Sequence, residues 1–241
     1  MPVIACTCKV CQSTDPRDQR LRSSILVEAD GKKIVIDCGP DFRQQMLRAQ
    51  IRSIDAILIT HEHKDHLGGL DDVRAFNYIL QRPADVYATL QVQRAIKREF
   101  GYAFCSDKYP GVPEICLHTI TNKPFTAAGL DVTPVKARHF NEHFVYGFRI
   151  HDFTYITDAM EITDREMKKI AGSKVIVINA LRKKKHYSHF NLEEAVAILN
   201  KLKPEMGFLT HISHQMGLNS EVSEELPDFV RLASDGSSFE F

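Results

Sequence analysis

The chain has 241 residues, with 31 lysines and arginines against 31 aspartates and glutamates, so its formal net charge at pH 7 is zero. This balance gives no global basic field that would attract nucleic acid or an anionic membrane. No segment approaches the roughly 18 apolar residues that a membrane span needs, and the opening MPVIACTCKVC has no apolar signal core. We therefore expect a cytoplasmic protein with no membrane partner.

Strands alternate with helices in the first half of the chain. A turn at Asp30-Gly31 separates the first two predicted strands, and Asp41 is a predicted helix N-cap. We predict strands at residues 24–28, 33–37, 56–60 and 86–88, and helices at residues 42–48, 72–80 and 91–100.

The second half is richer in predicted strands. Thr163-x-x-Glu166 and Asn191-x-x-Glu194 are capping boxes, which predict helices that run to about residues 172 and 202. We predict strands at residues 115–119, 130–136, 144–150, 153–157, 175–178, 207–210 and 229–233. Two β-rich stretches, each followed by helices, indicate a sandwich of sheets covered by helices, and we expect one domain over residues 1–241.

The most informative segment is THEHKDHLGGLDD at residues 60–72. It places His61, His63, Asp65 and His66 within six positions, directly after an apolar strand. Imidazole suits zinc, iron, nickel and copper, and a carboxylate adds the anionic charge that holds a second cation. The tandem glycines that follow permit a close backbone approach. The segment therefore predicts a metal site.

Three later residues extend this pattern. His139, Asp158 and His211 each lie at or beyond the end of a predicted strand, where loops meet at one rim. Together with the strand before His61, four separate strand ends offer histidine or aspartate, and this pattern is hard to explain as packing. ARHFNEHFVYGF also contains His143, which is an alternative to His139.

Cysteines indicate a further metal site. Cys6, Cys8 and Cys11 lie within six residues, and a tetrahedral zinc needs a fourth ligand, for which His214 in LTHISH is a candidate. We expect reduced thiols rather than disulfides. Cys105 and Cys116 are predicted to be core or surface residues, and His118 is predicted to have no ligand companions.

These motifs together resemble the metallo-β-lactamase-fold hydrolases. The resemblance rests on H-x-H-x-D-H at 61–66, which we call the ligand loop, the isolated His139, the Thr157-Asp158 pair, His211, and IDCGP at 36–40. In the family, the aspartate at the position of Asp37 braces the ligand loop. It implies an α/β (α+β) fold, the four-layer αββα sandwich. Relatives begin with a strand and a GTGTS-type turn before the cysteines, so we expect that first strand to be missing or truncated here.

The resemblance also implies the ligand sets. The first metal takes His61, His63 and His139, the second takes Asp65, His66 and His211, and Asp158 bridges them. The metals at this pair are zinc, manganese or iron. The thiolate trio with His214 resembles the PhnP-like branch, the phosphodiesterases of cyclic ribose phosphates, and implies one structural zinc.

In that branch, a histidine before a late helix faces the substrate as general acid or anion contact. His189 in SHFNLEE matches it best, and His186 is a second candidate. The implied function is a phosphodiesterase that uses a dinuclear centre and a bridging hydroxide to cleave a cyclic phosphate or another small phosphodiester. Alternatives are a tRNase Z-like nuclease, a single-iron persulfide dioxygenase or other hydrolase, and a non-catalytic metal-binding scaffold. Nucleic acid is expected only as a short substrate, and a homodimer is one option for assembly.

Overall fold

A computed structural model describes residues 1–241, which divide into two compact units. One unit comprises Arg22–Val132, and the other comprises Met1–Leu21 with Thr133–Phe241. Each unit has its own cluster of buried apolar side chains. None of the helices has the length and apolar character needed to cross a membrane.

The Arg22–Val132 unit contains a five-stranded sheet in the order β1-β2-β3-β4-β5. Its strands are β1 Ile25–Ala29, β2 Lys32–Ile36, β3 Ala56–Leu58, β4 Ala84–Ala88 and β5 Ile115–Thr119. β1 and β2 form an antiparallel hairpin, whereas β2 to β5 are parallel neighbours. The predicted turn is confirmed, since Asp30 and Gly31 both have positive φ.

Four helices cover the core of this unit: α1 Phe42–Arg48, α2 Lys64–Leu67, α3 Arg74–Leu80 and α4 Leu90–Glu99. Phe42, Phe76 and Ile96 from these helices are buried against the apolar side chains of β3 and β4. Asp41 stands at the predicted N-cap of α1, but its carboxylate receives hydrogen bonds from Arg22 rather than from the helix. The position is therefore confirmed, but the side-chain cap is wrong.

The second sheet has seven strands in the order β12-β11-β10-β9-β8-β7-β6. The strands are β6 Phe125–Ala127, β7 Leu130–Phe140, β8 His143–Ile150, β9 Phe153–Ile156, β10 Val175–Asn179, β11 Met206–Thr210 and β12 Val230–Leu232. β6 and the first three residues of β7 are counted in the Arg22–Val132 unit. β9, β10, β11 and β12 are parallel neighbours with apolar, largely buried sequences, which is typical of strands covered on both faces.

The unit of Met1–Leu21 with Thr133–Phe241 contains the helices α5 Asp164–Ile170, α6 Leu192–Leu202 and α7 Asn219–Ser223. The capping box of α6 is complete, because Asn191 accepts from the Glu194 amide and the Glu194 carboxylate accepts from the Asn191 amide. At α5, Thr163 caps the helix as predicted, but the Glu166 carboxylate accepts from the Lys136 amide of β7 instead. Tertiary contacts have therefore replaced half of that box.

Candidate metal centre

Parallel strands explain where the predicted ligands lie. In the Arg22–Val132 unit, Asp37 and His61 follow the carboxyl ends of the neighbours β2 and β3. In the other unit, Asp158 follows β9 and His211 follows β11, with β10 between them. Carboxyl ends of parallel strands share an edge, which is where α/β sheets bind ligands. His139 differs from the prediction, because it lies inside β7 rather than after it.

The H-x-H-x-D-H segment brings two imidazole nitrogens together. His61 Nε2 lies 3.1 Å from His63 Nδ1. Two nitrogens bound to one tetrahedral zinc lie about 3.3 Å apart, since each zinc–nitrogen bond is about 2.0–2.1 Å. Thr60 Oγ1 lies 3.0 Å from His61 Nδ1 and so orients the ring. This spacing fits two ligands of one metal ion.

Asp37 orients the last histidine of the segment. Its carboxylate, which is fully buried, accepts hydrogen bonds from the Thr60 amide, the Thr60 hydroxyl and His66 Nδ1, the last at 2.7 Å. Burial raises the pKa of Asp37, and its contacts with His66 and Thr60 act in the opposite direction. With Nδ1 engaged, the lone pair of His66 lies on Nε2, 3.5 Å from Asp65 Oδ2. Such a carboxylate–imidazole pair fixes the tautomer of a metal ligand.

Glycines hold this segment against the β2–α1 loop. A Cβ added to Gly39 would lie 2.0 Å from the Asp65 carbonyl oxygen, and one added to Gly69 would lie 2.1 Å from the Gly39 oxygen. The Cys38 amide donates to the His66 carbonyl, and the Gly69 amide donates to the Cys38 carbonyl, both at 2.9 Å. The close backbone approach predicted for the tandem glycines is confirmed at Gly69, whereas that at Gly39 was not predicted; both hold residues 61–66 against the β2–α1 loop.

The carboxyl-terminal unit assembles a second cluster around Asp158. One of its carboxylate oxygens lies 2.9 Å from His189 Nε2, and the other lies 3.3 Å from His211 Nε2 and 2.7 Å from the Thr157 hydroxyl. The His189 ring centroid is 4.9 Å from that of His139 and 5.1 Å from that of His211. Four of the predicted site residues are therefore neighbours in this unit.

Ser188 is a site residue that the sequence analysis missed. Its carbonyl accepts from His139 Nδ1 at 2.9 Å, and its hydroxyl lies 2.9 Å from His189 Nδ1 and 3.2 Å from His186 Nδ1. With Nδ1 engaged, Nε2 is the nitrogen of His139 that a metal ion would use. The only sequence signal was its place in SHFNLEE, because a backbone acceptor leaves no side-chain pattern.

The surroundings of His139 differ from those of its alternative, His143, and the surroundings of His189 differ from those of His186. His139 is buried, whereas His143 lies on β8 with its ring centroid 5.6 Å away. Burial lowers the pKa of His186, and nearby His189 and Arg182 lower it further. Less of His186 is therefore protonated at neutral pH, so less of it is available to donate a proton. These contacts favour His139 as ligand and His189 as acid, and both assignments stay predictions.

Three of these residues adopt a backbone conformation that is unusual for side chains with a Cβ. φ is +65° at Asp37, +56° at Asp158 and +54° at His211. Aspartate and histidine tolerate this left-handed region better than most residues. Strain of this kind costs about 1–3 kcal/mol per residue and concentrates at functional sites.

The predicted cysteine site is compact. His214 Nδ1 lies 3.3, 3.4 and 3.5 Å from the sulfurs of Cys6, Cys8 and Cys11. A sulfur and a nitrogen bound to one tetrahedral zinc lie about 3.6 Å apart, given bonds of about 2.3 and 2.0–2.1 Å. A hydrogen bond from the Cys11 backbone and the contact with His214 lower the pKa of Cys8 to about 6. The four donors therefore fit one zinc ion.

Comparison with known proteins identifies the family. The family model of the beta-lactamase superfamily domain matches residues 32–212. The chain belongs to the metallo-β-lactamase superfamily. A solved diphosphatase of the PhnP family is 38% identical, with a TM-score of 0.92 over 100% of this chain and 92% of that one. The chain is therefore PhnP-like, and the predicted αββα metallo-β-lactamase sandwich is confirmed.

Two curated relatives show other degrees of similarity. An octanoyltransferase of Porphyromonas gingivalis is 38% identical over 239 residues, which are 98% of this chain and 48% of that protein. The chain thus spans about half the length of that relative. A ribonuclease Z of Bradyrhizobium diazoefficiens is 47% identical over 57 residues, which are 23% of this chain and 19% of the enzyme. The fold implies divalent metals, and the histidine–aspartate clusters supply donors of the type that bind them.

Proposed function

We propose that this metal-dependent hydrolase is a phosphodiesterase that cleaves a cyclic phosphate or another small phosphodiester. The observation that carries the proposal is the place of His189, whose Nε2 lies 2.9 Å from Asp158 and whose ring neighbours two further predicted ligands. The departure of an alkoxide from phosphorus is assisted by a proton donor, and Asp158 holds the His189 imidazole in place for that role.

The donor chemistry supports two divalent metals and one structural zinc. We assign His61, His63, His139, Asp65, His66, His211 and Asp158 to the catalytic pair, and Cys6, Cys8, Cys11 and His214 to the zinc. Bound metals supply an activated water and neutralise the charge that grows on the phosphoryl oxygens. Asp37, Thr60 and Ser188 orient the imidazoles, so that little rearrangement accompanies the reaction. All six cysteines are free thiols, which supports a cytoplasmic location.

One solved relative favours phosphorus chemistry over persulfide oxidation and over a non-catalytic scaffold. The solved neighbour is a diphosphatase, and each phosphorus of a diphosphate esterified at both ends carries one ester and one anhydride link, with the same single negative charge as a phosphodiester. A diphosphate diester is therefore a second substrate candidate. The octanoyltransferase is about twice as long as this chain, so its name does not assign acyl transfer to the shared half. For the nuclease candidate, the net charge of zero gives little affinity for a phosphate backbone.

The direct test is hydrolysis of bis(p-nitrophenyl) phosphate by the metal-reconstituted chain. Asp158→Asn should lower kcat/KM by about 10²–10³, because it removes a metal-binding and proton-orienting charge. Asp152→Asn is the matched control, since Asp152 is a partly exposed aspartate of the same unit paired with Lys174. Equal rates for the wild type and Asp158→Asn would refute the proposal.

The proton-donor role has its own readout. His189→Gln should slow diesters with alkyl leaving groups by about 10²–10⁴, and should slow p-nitrophenyl esters far less, because p-nitrophenolate leaves without protonation. His151→Gln, at the exposed β8–β9 turn, is the control. Equal losses on both ester types would assign His189 a positioning role instead.

The other candidates predict different outcomes. Salt-dependent binding and cleavage of precursor tRNA would indicate the nuclease. Oxygen consumption with a thiol persulfide would indicate the dioxygenase, and metal occupancy without turnover of any ester would indicate the scaffold.

A further inference from the structure

A third cluster of ligand-type side chains lies on the β4–β5 edge of the Arg22–Val132 unit. The parallel register places Asp85 opposite Cys116, and His118 follows two residues later on β5. Because side chains alternate along a strand, all three share one face of the sheet. Their donor atoms lie within 4.8 Å of one another. The prediction that His118 has no ligand companions is therefore wrong.

Asp85 is held with one oxygen towards each neighbour. Oδ1 lies 2.7 Å from His118 Nε2, and Oδ2 lies 3.4 Å from Nη1 of Arg82. Arg82 is itself tethered, since its Nη2 donates to the Ile54 carbonyl at 2.9 Å and its side chain also faces Asp55. This cation neutralises part of the local acidic charge and fixes the carboxylate plane, as hydrogen-bonded neighbours do for metal-binding carboxylates.

His118 is also oriented by an aromatic stack. The Tyr87 ring stacks on it at 4.5 Å with an interplanar angle of 18°, and Phe125 stacks on Tyr87 at 5.6 Å. Burial and the nearby Asp85 raise the pKa of Tyr87, so its phenol remains neutral around pH 7. The Tyr87 ring therefore packs against the His118 imidazole and positions it without adding charge.

We propose that Asp85, Cys116 and His118 bind a zinc-class divalent cation, with a fourth position open to water. Thiolate, imidazole and carboxylate are the three ligand types that zinc accepts together, whereas magnesium and calcium need oxygen ligands. The Cys116 thiol loses its proton on binding. The Asp85–His118 separation widens from 2.7 Å to about 3.4 Å around zinc. Both side chains can make that shift, since 35% and 38% of them are exposed.

Thiol footprinting tests this site within the intact chain. The full-length protein, dialysed to remove exchangeable metal, is alkylated with iodoacetamide with and without added zinc chloride, and each cysteine is followed by mass spectrometry. Cys105 is the internal control, because it is also exposed and its sulfur donates hydrogen bonds to the carbonyls of Tyr102 and Asp107. At zinc about ten times above Kd, alkylation of Cys116 should slow roughly tenfold, since the free site falls to about a tenth. Cys105 should change less than about twofold, and magnesium should protect neither.

Two variants separate this site from the proposed catalytic centre. His118→Gln keeps a planar polar side chain for the Tyr87 stack, and Asp85→Asn keeps the size of the carboxylate. Each should abolish zinc protection of Cys116 and lower bound zinc by one equivalent, while hydrolysis of diesters by the reconstituted enzyme persists. Protection of Cys116 that matches that of Cys105, or that survives both substitutions, would overturn the proposal. Loss of diester hydrolysis in wild type would bear only on the proposed function.

Discussion

A methyl group at residue 39 is expected to displace the ligand loop. In Gly39→Ala, the new Cβ would lie 2.0 Å from the Asp65 carbonyl oxygen and 2.9 Å from its carbon. Both are backbone atoms, so no flexible side chain can move aside. The two loops must separate by about 1 Å before this contact reaches 3.0 Å, the closest that real Cβ atoms approach.

That displacement acts on Asp65 and on its neighbours in H-x-H-x-D-H. A misplacement of about 1 Å at a catalytic group costs about 10²-fold in rate, and overpacking of this kind costs about 1–3 kcal/mol of stability. Gly39→Ala should therefore lose about 10²-fold in kcat/KM on bis(p-nitrophenyl) phosphate, and its metal content by mass spectrometry should fall in parallel.

Gly101→Ala is the matched control, because a Cβ added at residue 101 would have no atom within 4 Å and the φ of this glycine is not positive. It should keep wild-type activity and metal content. If Gly39→Ala stays within about twofold of Gly101→Ala in both measurements, close packing of the two loops is not what orders the ligands.

Three further outcomes are expected. Asp37→Asn should weaken metal binding about 10–100-fold by calorimetry, because it removes the charge that fixes the His66 tautomer. In metal-free protein, alkylation of Cys8 should rise through pH about 6, whereas Cys11, whose pKa burial raises, should react only at alkaline pH. Ile178→Ala, which truncates a fully buried side chain of β10, should lower the free energy of unfolding by about 2–5 kcal/mol in urea.

Each outcome has a comparison that could contradict it. Asp41→Asn changes a partly buried aspartate that stands at the start of α1 and pairs with Arg22, and it should leave metal affinity unchanged. Equal alkylation profiles for Cys8 and Cys11 would contradict the prediction that Cys8 loses its proton at a lower pH than Cys11. Ile4→Ala, at a side chain that is 98% exposed, should change stability by less than about 0.5 kcal/mol.

Local sequence patterns predicted the fold and the ligand clusters well where the signal is itself local. The Asn191 capping box needs only neighbours in the chain and forms as predicted. The short spacing of His61 and His63 likewise brings their nitrogens within 3.1 Å of each other. β6, with three residues, carries no periodicity long enough to detect. Of the predicted Thr163 capping box, the Thr163 side chain caps the helix, but the carboxylate of Glu166 accepts a hydrogen bond from the amide of Lys136.

Contacts that depend on how distant strands pair could not be predicted from the sequence. Asp85 and His118 meet only because β4 and β5 pair in one particular register across a long connection, and no residue between them encodes that register. Ser188 was missed for a related reason, since its carbonyl rather than its side chain holds His139. His139 was placed after a strand because its preceding apolar alternation ends early, whereas β7 continues to Phe140.

The left-handed backbone at Asp37, Asp158 and His211 has a consequence for protein engineering. Glycine adopts this conformation without strain, so glycine at any of the three should relax the native chain while it deletes a functional group. A library selected for thermal tolerance alone should accumulate such replacements and drift towards well-folded, inactive proteins. Selection on this scaffold should therefore couple every stability screen to a metal-content or turnover screen.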